Sequence, residues 1–235
     1  MIDKTAAQSQ TLSRGLRVLE VLAERGQPMS IAALSESVGL HRSITYRFLR
    51  TLEQHSLVRR DEAGLVRLSL GLAALARGIE ADLQAVAQGE LAALADQLAM
   101  TAFLVVLSGS ECVTLVSVAP SRTAAAVVYR PGARHSLAVG APGIAIQAAM
   151  NAEQWRAVAD VQPRDSLDEV RRAGYATSHD EVIPGLRSVA VPLTVPGHPV
   201  QVCAVAVVYV STKLSENELA CAVGETARAM ASRLH

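Results

Sequence analysis

The sequence lacks the features that mark several large classes of protein. No apolar run reaches the ~20 residues that a helix needs to cross a bilayer, the longest being Val202–Val210. We therefore expect no membrane partner. The three cysteines, Cys112, Cys203 and Cys221, are widely spaced in apolar sequence, which predicts buried thiols in a reducing cytoplasm rather than a disulfide or a zinc site. Residues 1–11 contain no hydrophobic signal region and predict a flexible polar arm.

Catalytic motifs are also missing. The sequence contains no G-x-S-x-G elbow, no H-E-x-x-H pair, no P-loop and no dinucleotide-binding glycine pattern. The one tight cluster of titratable groups is His179-Asp180-Glu181, but adjacent residues of an extended segment point in alternating directions and do not converge on one ion. We therefore expect no catalytic residue, no metal and no cofactor, and a small-molecule enzyme is the least favoured alternative.

Charge is balanced over the whole chain but not over its parts. The 235 residues, enough for two modest domains, include 22 basic and 22 acidic side chains. Residues 1–70 contain ten basic and seven acidic residues, whereas residues 71–235 contain twelve and fifteen. This asymmetry is expected when only one end of a chain contacts phosphate.

Residues 30–52 have the pattern of two short helices joined by a tight turn. Ser30 is suited to cap the first helix, and Gly39 supplies the left-handed backbone conformation that ends it. The first helix is predicted to bury Ile31, Leu34 and Val38, and the second Ile44, Phe48, Leu49 and Leu52. A preceding helix over Ser13–Glu24 is expected to add Leu16, Leu19, Val21 and Leu22 to the same core.

The outward face of the second helix and the segment after it are polar and basic. Such a helix suits the major groove of DNA, where guanidinium groups reach phosphates and guanine edges. The outward residues are His41, Arg42, Ser43, Tyr46, Arg47 and Arg50. Strands at 57–60 and 65–70 flank a turn ending in glycine, which predicts a wing that brings Arg59, Arg60 and Arg67 to the phosphate backbone. These features favour a winged helix-turn-helix over residues 12–70 rather than an ordinary helical domain with solvated arginines.

The remainder of the chain predicts a second domain of α+β class. Helices are predicted at 72–81, 82–98, 142–150, 152–160, 165–173, and from Ser215 or Asn217 to about Leu234. Strands are predicted at 102–108, 112–118, 124–130, 186–194 with an interruption near Pro192, and 200–210. Strands followed by helices and then strands indicate an antiparallel sheet with flanking helices. The linker helix at 71–84 and the helix after it have broad apolar faces, which favour dimerisation over simple coverage of their own domain.

The order of elements and several motifs resemble the IclR family of bacterial transcriptional regulators. The motifs are LSRGLRVLEVLAE, VGLHRSITYRFLRTLEQHSLVRR, LSLGLAALA, LAVGAPGIA at 137–145, GYATSHDEVIPGLRSVAVPL at 174–193, and the apolar strand ending at Tyr209. The resemblance implies an N-terminal winged helix-turn-helix joined to a C-terminal GAF-like sensor domain over residues 85–235. It also implies dimers, or dimers of dimers, that bind a double-stranded DNA operator and respond to a small organic ligand.

This sequence departs from the family at the implied ligand site. At seven positions the family usually has His, a hydroxyl residue, Lys, Asp, Cys and two further hydroxyl residues. Those positions hold, in order, Ala138, Gly140, Ile144, Ser178, Ser188, Ala206 and Val208. The lost polar groups favour a more apolar ligand than a two- or three-carbon acid, such as an aromatic or alicyclic acid.

The start of the helix at Pro142 is predicted to bind the ligand's carboxylate, because helix starts carry unpaired N–H groups and partial positive charge. Pro142 has no N–H, which leaves Gly143 and Ile144 as donors. The full predicted effector-binding set is Ala141, Pro142, Gly143, Ile144, Ser178, Leu186, Ser188 and Ala206. The alternatives are an ordinary proline-initiated helix packed on a sheet, and a second domain that only oligomerises. Repression and activation both remain open at this point.

Overall fold

The computed structural model describes residues 9–76, 81–122, 130–158, 160–194 and 202–234. The chain divides into two compact units, Met1–Ile79 and Glu80–His235, and the division falls within the predicted linker at 71–84. Most of the strand predicted at 124–130 lies outside the described residues. The described helices include none that is long and apolar enough to cross a membrane.

The first unit is a helical domain with a small antiparallel hairpin. Its described elements are α1 (Gln10–Arg25), α2 (Ile31–Ser37), α3 (Arg42–Gln54), β1 (Val58–Arg60), β2 (Val66–Leu68) and α4 (Gly71–Leu75). The predicted helix pair and wing are thus present. Helix α1 begins at Gln10, within the arm predicted over residues 1–11. The hydroxyl of Ser9 caps the helix by accepting the backbone N–H of Leu12 at 3.3 Å.

The turn between α2 and α3 has the chemistry that the sequence predicts. The Ser30 hydroxyl accepts the N–H of Ala33 at 3.2 Å, and Gly39 has a φ of 64°. The buried residues of the unit's core are Val18, Val21, Leu22, Met29, Leu34, Leu49, Val58 and Val66.

Two apolar residues predicted for this core are exposed instead. Leu16 is 49% and Ile44 is 36% exposed. Thr45 takes the inward position on α3, since it lies four residues before buried Leu49 and therefore on the same helix face. Its hydroxyl donates to the carbonyl of His41 at 3.4 Å, so its burial leaves no hydroxyl unpaired.

The described part of the second unit is a six-stranded antiparallel sheet between two layers of helices. Its described elements are α5 (Ala81–Leu98), β3 (Thr101–Ser108), β4 (Glu111–Val118), β5 (Arg134–Ser136), α6 (Gly140–Ala149), α7 (Ala152–Ala157), α8 (Leu167–Ala173), β6 (Ala176–His179), β7 (Arg187–Thr194), β8 (Val202–Tyr209) and α9 (Glu216–Arg233). The strand order is β5-β4-β3-β8-β7-β6. The predicted α+β class with flanking helices is confirmed.

Each face of this sheet has its own hydrophobic core. Helices α5 and α9 cover one face, and α6 and α8 cover the other. Strand β8 pairs with both β3 and β7 and is buried along its whole length, as its continuous apolar sequence predicts.

The sheet departs from the sequence prediction at its edges. Strands β5 and β6 are missed because they are short and partly polar. Pro192 does not interrupt β7, which pairs with β8 as far as Thr194. The pairing of β7 with β6 ends at Ala190, so among the described residues Pro192 has a partner strand on one side only, where proline is tolerated.

The cysteines are not all buried as predicted. Cys112 and Cys203 are buried free thiols, but Cys221 is exposed on α9. Burial raises the pKa of the Cys112 thiol to about 12, which keeps it protonated. It therefore acts as a small apolar side chain of the core.

Candidate DNA-binding surface and ligand site

Helix α3 presents a polar and basic face to solvent. All the outward residues predicted on it are exposed: His41, Arg42, Ser43, Tyr46, Arg47 and Arg50. Within the described parts of the chain, the three arginines form no ion pair with an acidic side chain. Their guanidinium groups are therefore available to a polyanion. At the helix start, the Nδ1 atom of His41 lies 2.9 Å from the Ser43 hydroxyl.

The three arginines of the wing lie in different environments. Arg59 and Arg67 are paired across the hairpin, where Arg59 is exposed and Arg67 is half-buried, 3.8 Å from the carboxylate of Asp61. Arg60 lies inward, with its Nε atom 2.7 Å from the Glu53 carboxylate and its guanidinium carbon 4.8 Å from the centre of the Tyr46 ring. This position favours a structural role for Arg60, which holds the wing against α3.

In the second unit, a small cavity of about 30 Å³ lies beside the start of α6. Its wall is formed by Phe103, His135, Gly140, Pro142, Ser178, Glu181, Val182, Ile183, Leu186, Arg187, Ser188 and Val208. Residues from both edge strands contribute, so the sheet curves around this point. Four predicted effector-binding residues line the cavity: Pro142, Ser178, Leu186 and Ser188. The other four are buried but do not line it: Ala141, Gly143, Ile144 and Ala206.

The unpaired N–H groups of α6 differ from those that the sequence predicts, because the helix begins at Gly140 rather than at Pro142. Gly143 and Ile144 lie inside the helix, where an N–H bonds to the carbonyl four residues earlier. In the first turn, the N–H groups without a carbonyl partner in the helix are those of Gly140 and Ala141, and both donate to side chains instead. Gly140 donates to the Glu181 carboxylate at 2.8 Å, and Ala141 donates to the Ser178 hydroxyl at 2.9 Å.

The carboxylate of Glu181 is shared between the helix start and an arginine. Its other oxygen lies 2.5 Å from a guanidinium nitrogen of Arg164, and both side chains are partly buried. Glu181 therefore occupies the start of α6 at Gly140, whereas the sequence predicts a ligand's carboxylate at the N–H groups of Gly143 and Ile144. His179 and Asp180 contact each other at 3.3 Å and do not join Glu181. In the described ranges, no group of three or more His, Cys, Asp or Glu residues could hold a metal ion.

Three polar side chains in the wall retain hydrogen-bonding capacity. Ser178 accepts from Ala141, which leaves its own hydrogen to donate. Ser188 donates to the carbonyl of Val207 at 2.9 Å, which leaves its lone pairs to accept. His135 is 9% exposed, and its Nε2 atom has no hydrogen-bond partner among the residues that the structure describes.

Sequence reasoning missed several residues of this wall, among them Phe103, His135, Glu181 and Arg187. Glu181 was visible as part of a titratable cluster, but its role depends on Gly140, which lies 41 residues away. His135 belongs to a strand of only three residues, which periodicity does not detect.

The first unit is a winged helix-turn-helix with a basic helix, and the second unit contains a cavity. Together these features define a ligand-responsive DNA-binding regulator. Family models agree with this class. Residues 11–62 match the IclR helix-turn-helix domain, and residues 79–235 match the bacterial transcriptional regulator IclR C-terminal domain. The chain belongs to the IclR family. It is a transcriptional regulator with a helix-turn-helix DNA-binding domain and a ligand-binding C-terminal domain.

The chain is similar to characterised and structurally solved members of the family. It is 28% identical over 202 residues to the HTH-type transcriptional regulator XynR of Escherichia coli, covering 78% of this chain and 80% of XynR. It is also 28% identical over 195 residues to the HTH-type transcriptional regulator TtgV of Pseudomonas putida, covering 77% and 75%. Among crystal structures, an IclR regulator from Alicyclobacillus acidocaldarius has 25% identity and a TM-score of 0.78, covering 97% and 100%. An IclR homologue from Microbacterium hydrocarbonoxydans, complexed with 4-hydroxybenzoate, has 20% identity and a TM-score of 0.78, covering 96% and 99%.

Proposed function

We propose that this protein is a cytoplasmic homo-oligomeric regulator, a dimer or a dimer of dimers, that binds a double-stranded DNA operator through α3 and the wing. A small organic acid, bound at the cavity beside α6, changes its affinity for the operator. The observation that carries this proposal is the cavity itself, in which two serines and a helix start meet an apolar wall. We propose no catalytic activity for the chain.

We propose repression as the sign of the regulation. The chain is 40% identical over 52 residues, 22% of its length, to the transcriptional repressor IclR of Escherichia coli. The chain is also 40% identical over 52 residues to the acetate operon repressor of Salmonella typhimurium.

The proposed ligand is an aromatic or alicyclic acid. Phe103, Leu186 and Val208 give the cavity apolar wall, and a structural neighbour is complexed with 4-hydroxybenzoate. The cavity volume of about 30 Å³ has room for roughly two water molecules. Organic ligands require several hundred Å³ (about 300 or more). Binding therefore requires the cavity to widen, and we propose that the ligand's carboxylate replaces that of Glu181 at Gly140.

A panel of organic acids tests the ligand site by thermal shift on the full-length protein. At about 100 times its dissociation constant, a ligand should add ~2.7 kcal/mol to the free energy of unfolding of the native protein. Ser178→Ala should reduce the affinity by about 5- to 100-fold, because it removes the hydroxyl donor and leaves Ala141 unpaired. Thr177→Val is the matched control, since adjacent residues of β6 lie on opposite faces of the sheet. Failure of every acid to shift the melting temperature would contradict the proposed ligand class.

Arg47→Ala should weaken binding to the selected operator by about 1–3 kcal/mol, as the loss of a bidentate base contact does. The operator can be obtained by selecting bound fragments from genomic DNA, and affinity measured by fluorescence anisotropy. Binding to unrelated DNA should change much less. An unchanged operator affinity would remove Arg47 from the proposed DNA-binding residues.

Arg59→Ala should weaken binding to all DNA sequences alike and reduce the slope of log affinity against log salt by about 1. Arg60→Ala serves as the comparison, because Arg60 is engaged by Glu53 and Tyr46. Its effect should appear as a loss of stability of the first unit, with a smaller change in the salt slope. The opposite ranking of the two slopes would show that Arg60, and not Arg59, contacts phosphate.

A further inference from the structure

A buried histidine in the wall of the cavity has an unused nitrogen. His135 lies on β5, five residues before the start of α6, and is 9% exposed. Its Cε1 atom, which lies between the two ring nitrogens, is 3.6 Å from where a Cβ at Gly140 would lie, so the ring packs beside the helix start. Buried polar atoms are paired in most native structures, so an unpaired one at a cavity needs an explanation.

The other nitrogen of the ring determines what Nε2 can do. Nδ1 lies 3.0 Å from the carbonyl oxygen of Ser136. A carbonyl oxygen only accepts, so Nδ1 carries the hydrogen. Burial lowers the pKa of His135, although the backbone oxygens of Ser136 and Val139 act in the opposite direction. The ring is therefore neutral near pH 7, and Nε2 carries an unpaired lone pair in a side chain that lines the cavity.

We propose that His135 is a specificity-determining residue of the ligand site, whose Nε2 atom accepts a hydrogen bond from a hydroxyl group of the ligand. The preferred ligand is then a hydroxy acid, which replaces the Glu181 carboxylate with its own and donates its hydroxyl to His135. A plain acid of the same shape leaves Nε2 without a partner in a site that closes over it. This inference rests on the proposed function and specifies the ligand class within it.

The geometry favours recognition by a hydroxyl over a purely structural role for His135. Nδ1 lies within hydrogen-bond distance of the Ser136 oxygen, and Nε2 has no hydrogen-bond partner among the described residues, which leaves it available to a ligand. Loss of one partner of a buried hydrogen bond costs the desolvation of the remaining group, which corresponds to about 5- to 100-fold in affinity. A hydroxyl on the ligand should therefore decide between compounds that are otherwise alike.

The test compares matched ligand pairs on the full-length protein. The pairs are 4-hydroxybenzoate with benzoate, 3-hydroxybenzoate with benzoate, and 4-hydroxycyclohexanecarboxylate with cyclohexanecarboxylate. Affinities are measured by calorimetry for the wild type, for His135→Leu, and for the control His179→Leu, which removes an exposed histidine outside the cavity. Nitrogen NMR of ¹⁵N-histidine-labelled wild type then reports directly whether Nε2 accepts a hydrogen bond.

The expected result is that at least one hydroxylated compound binds wild type about 5- to 100-fold more tightly than its plain partner, and moves the Nε2 resonance. In His135→Leu this preference should disappear, while the affinity for the plain acid stays the same or rises. His179→Leu should keep the wild-type preference.

Three results would overturn the inference, and they are distinguishable. Equal binding of both members of every pair, or a hydroxyl preference that survives in His135→Leu, rejects the role of His135 and leaves the acid-responsive function standing. Absence of binding by all compounds rejects both. Should His135→Leu fail to fold, the comparison of pairs and the Nε2 resonance in wild type still decide the question.

Discussion

Gly143→Ala is expected to lower the free energy of unfolding of the second unit by about 2–3 kcal/mol. A Cβ at this position would lie 2.5 Å from the carbonyl oxygen of Leu137 and 3.2 Å from its carbonyl carbon. Both atoms belong to backbone, which cannot rotate away as a side chain does. Relief therefore requires α6 to shift from the segment that precedes it. The amide of Gln147 donates to the same Leu137 carbonyl at 2.7 Å, so the shift also strains a buried hydrogen bond.

Calorimetric or denaturant unfolding of the full chain measures this loss, which corresponds to a lower melting temperature of about 5–10 °C. Gly89→Ala is the control within the same unit. Gly89 lies on α5 with open space around it, so added helix propensity should stabilise by about 0.5–1 kcal/mol. Equal stability of the two variants would show that α6 does not approach Leu137 this closely.

Leu49→Ala is expected to destabilise the first unit by about 2–5 kcal/mol. Leu49 is fully buried in a core of eight buried residues among those described, at the centre of α3. Small domains have little stability in reserve, so this cost is a large part of the total. The variant should lose operator binding at moderate temperature while retaining ligand binding in the second unit.

The comparison variant is Ile44→Ala, on the same helix but exposed to solvent. Its cost should stay below about 1 kcal/mol, because little apolar surface is uncovered. Unfolding followed by circular dichroism separates the two variants. A larger loss of unfolding free energy for Ile44→Ala than for Leu49→Ala would show that Ile44 is buried, as its periodicity predicts.

Local chemistry made the first unit predictable from the sequence. Ser30 and Gly39 mark helix boundaries through interactions within a few residues. The structure contains the Ser30 cap and the left-handed conformation of Gly39. The error at Ile44 arises because both Ile44 and Thr45 are compatible with a helical stripe. Periodicity ranks side chains by hydrophobicity and does not register that Thr45 pairs its hydroxyl within the helix.

The ligand site was only partly predictable, because its decisive contacts join distant parts of the chain. The four wall residues found in advance lie on α6, β6, β7 and the turn before it. The contact of Glu181 with Gly140 spans 41 residues, and that with Arg164 spans 17. Contacts between residues this far apart cannot be inferred from the local pattern of a single sequence. The exact start of α6 matters equally, since a shift of two residues changes which N–H groups are free.

The Glu181 carboxylate at the start of α6 has a consequence for the concentration at which the protein responds. Because Glu181 is part of the same chain, its carboxylate acts at a high effective concentration. An anion that binds at this helix start has to compete with it. The apparent dissociation constant equals the intrinsic one divided by the fraction of molecules in which Glu181 has already left. Under the proposed displacement of Glu181, low concentrations of an acid leave operator binding unchanged, and the strength of the Glu181–Arg164 pair sets the concentration above which the regulator responds.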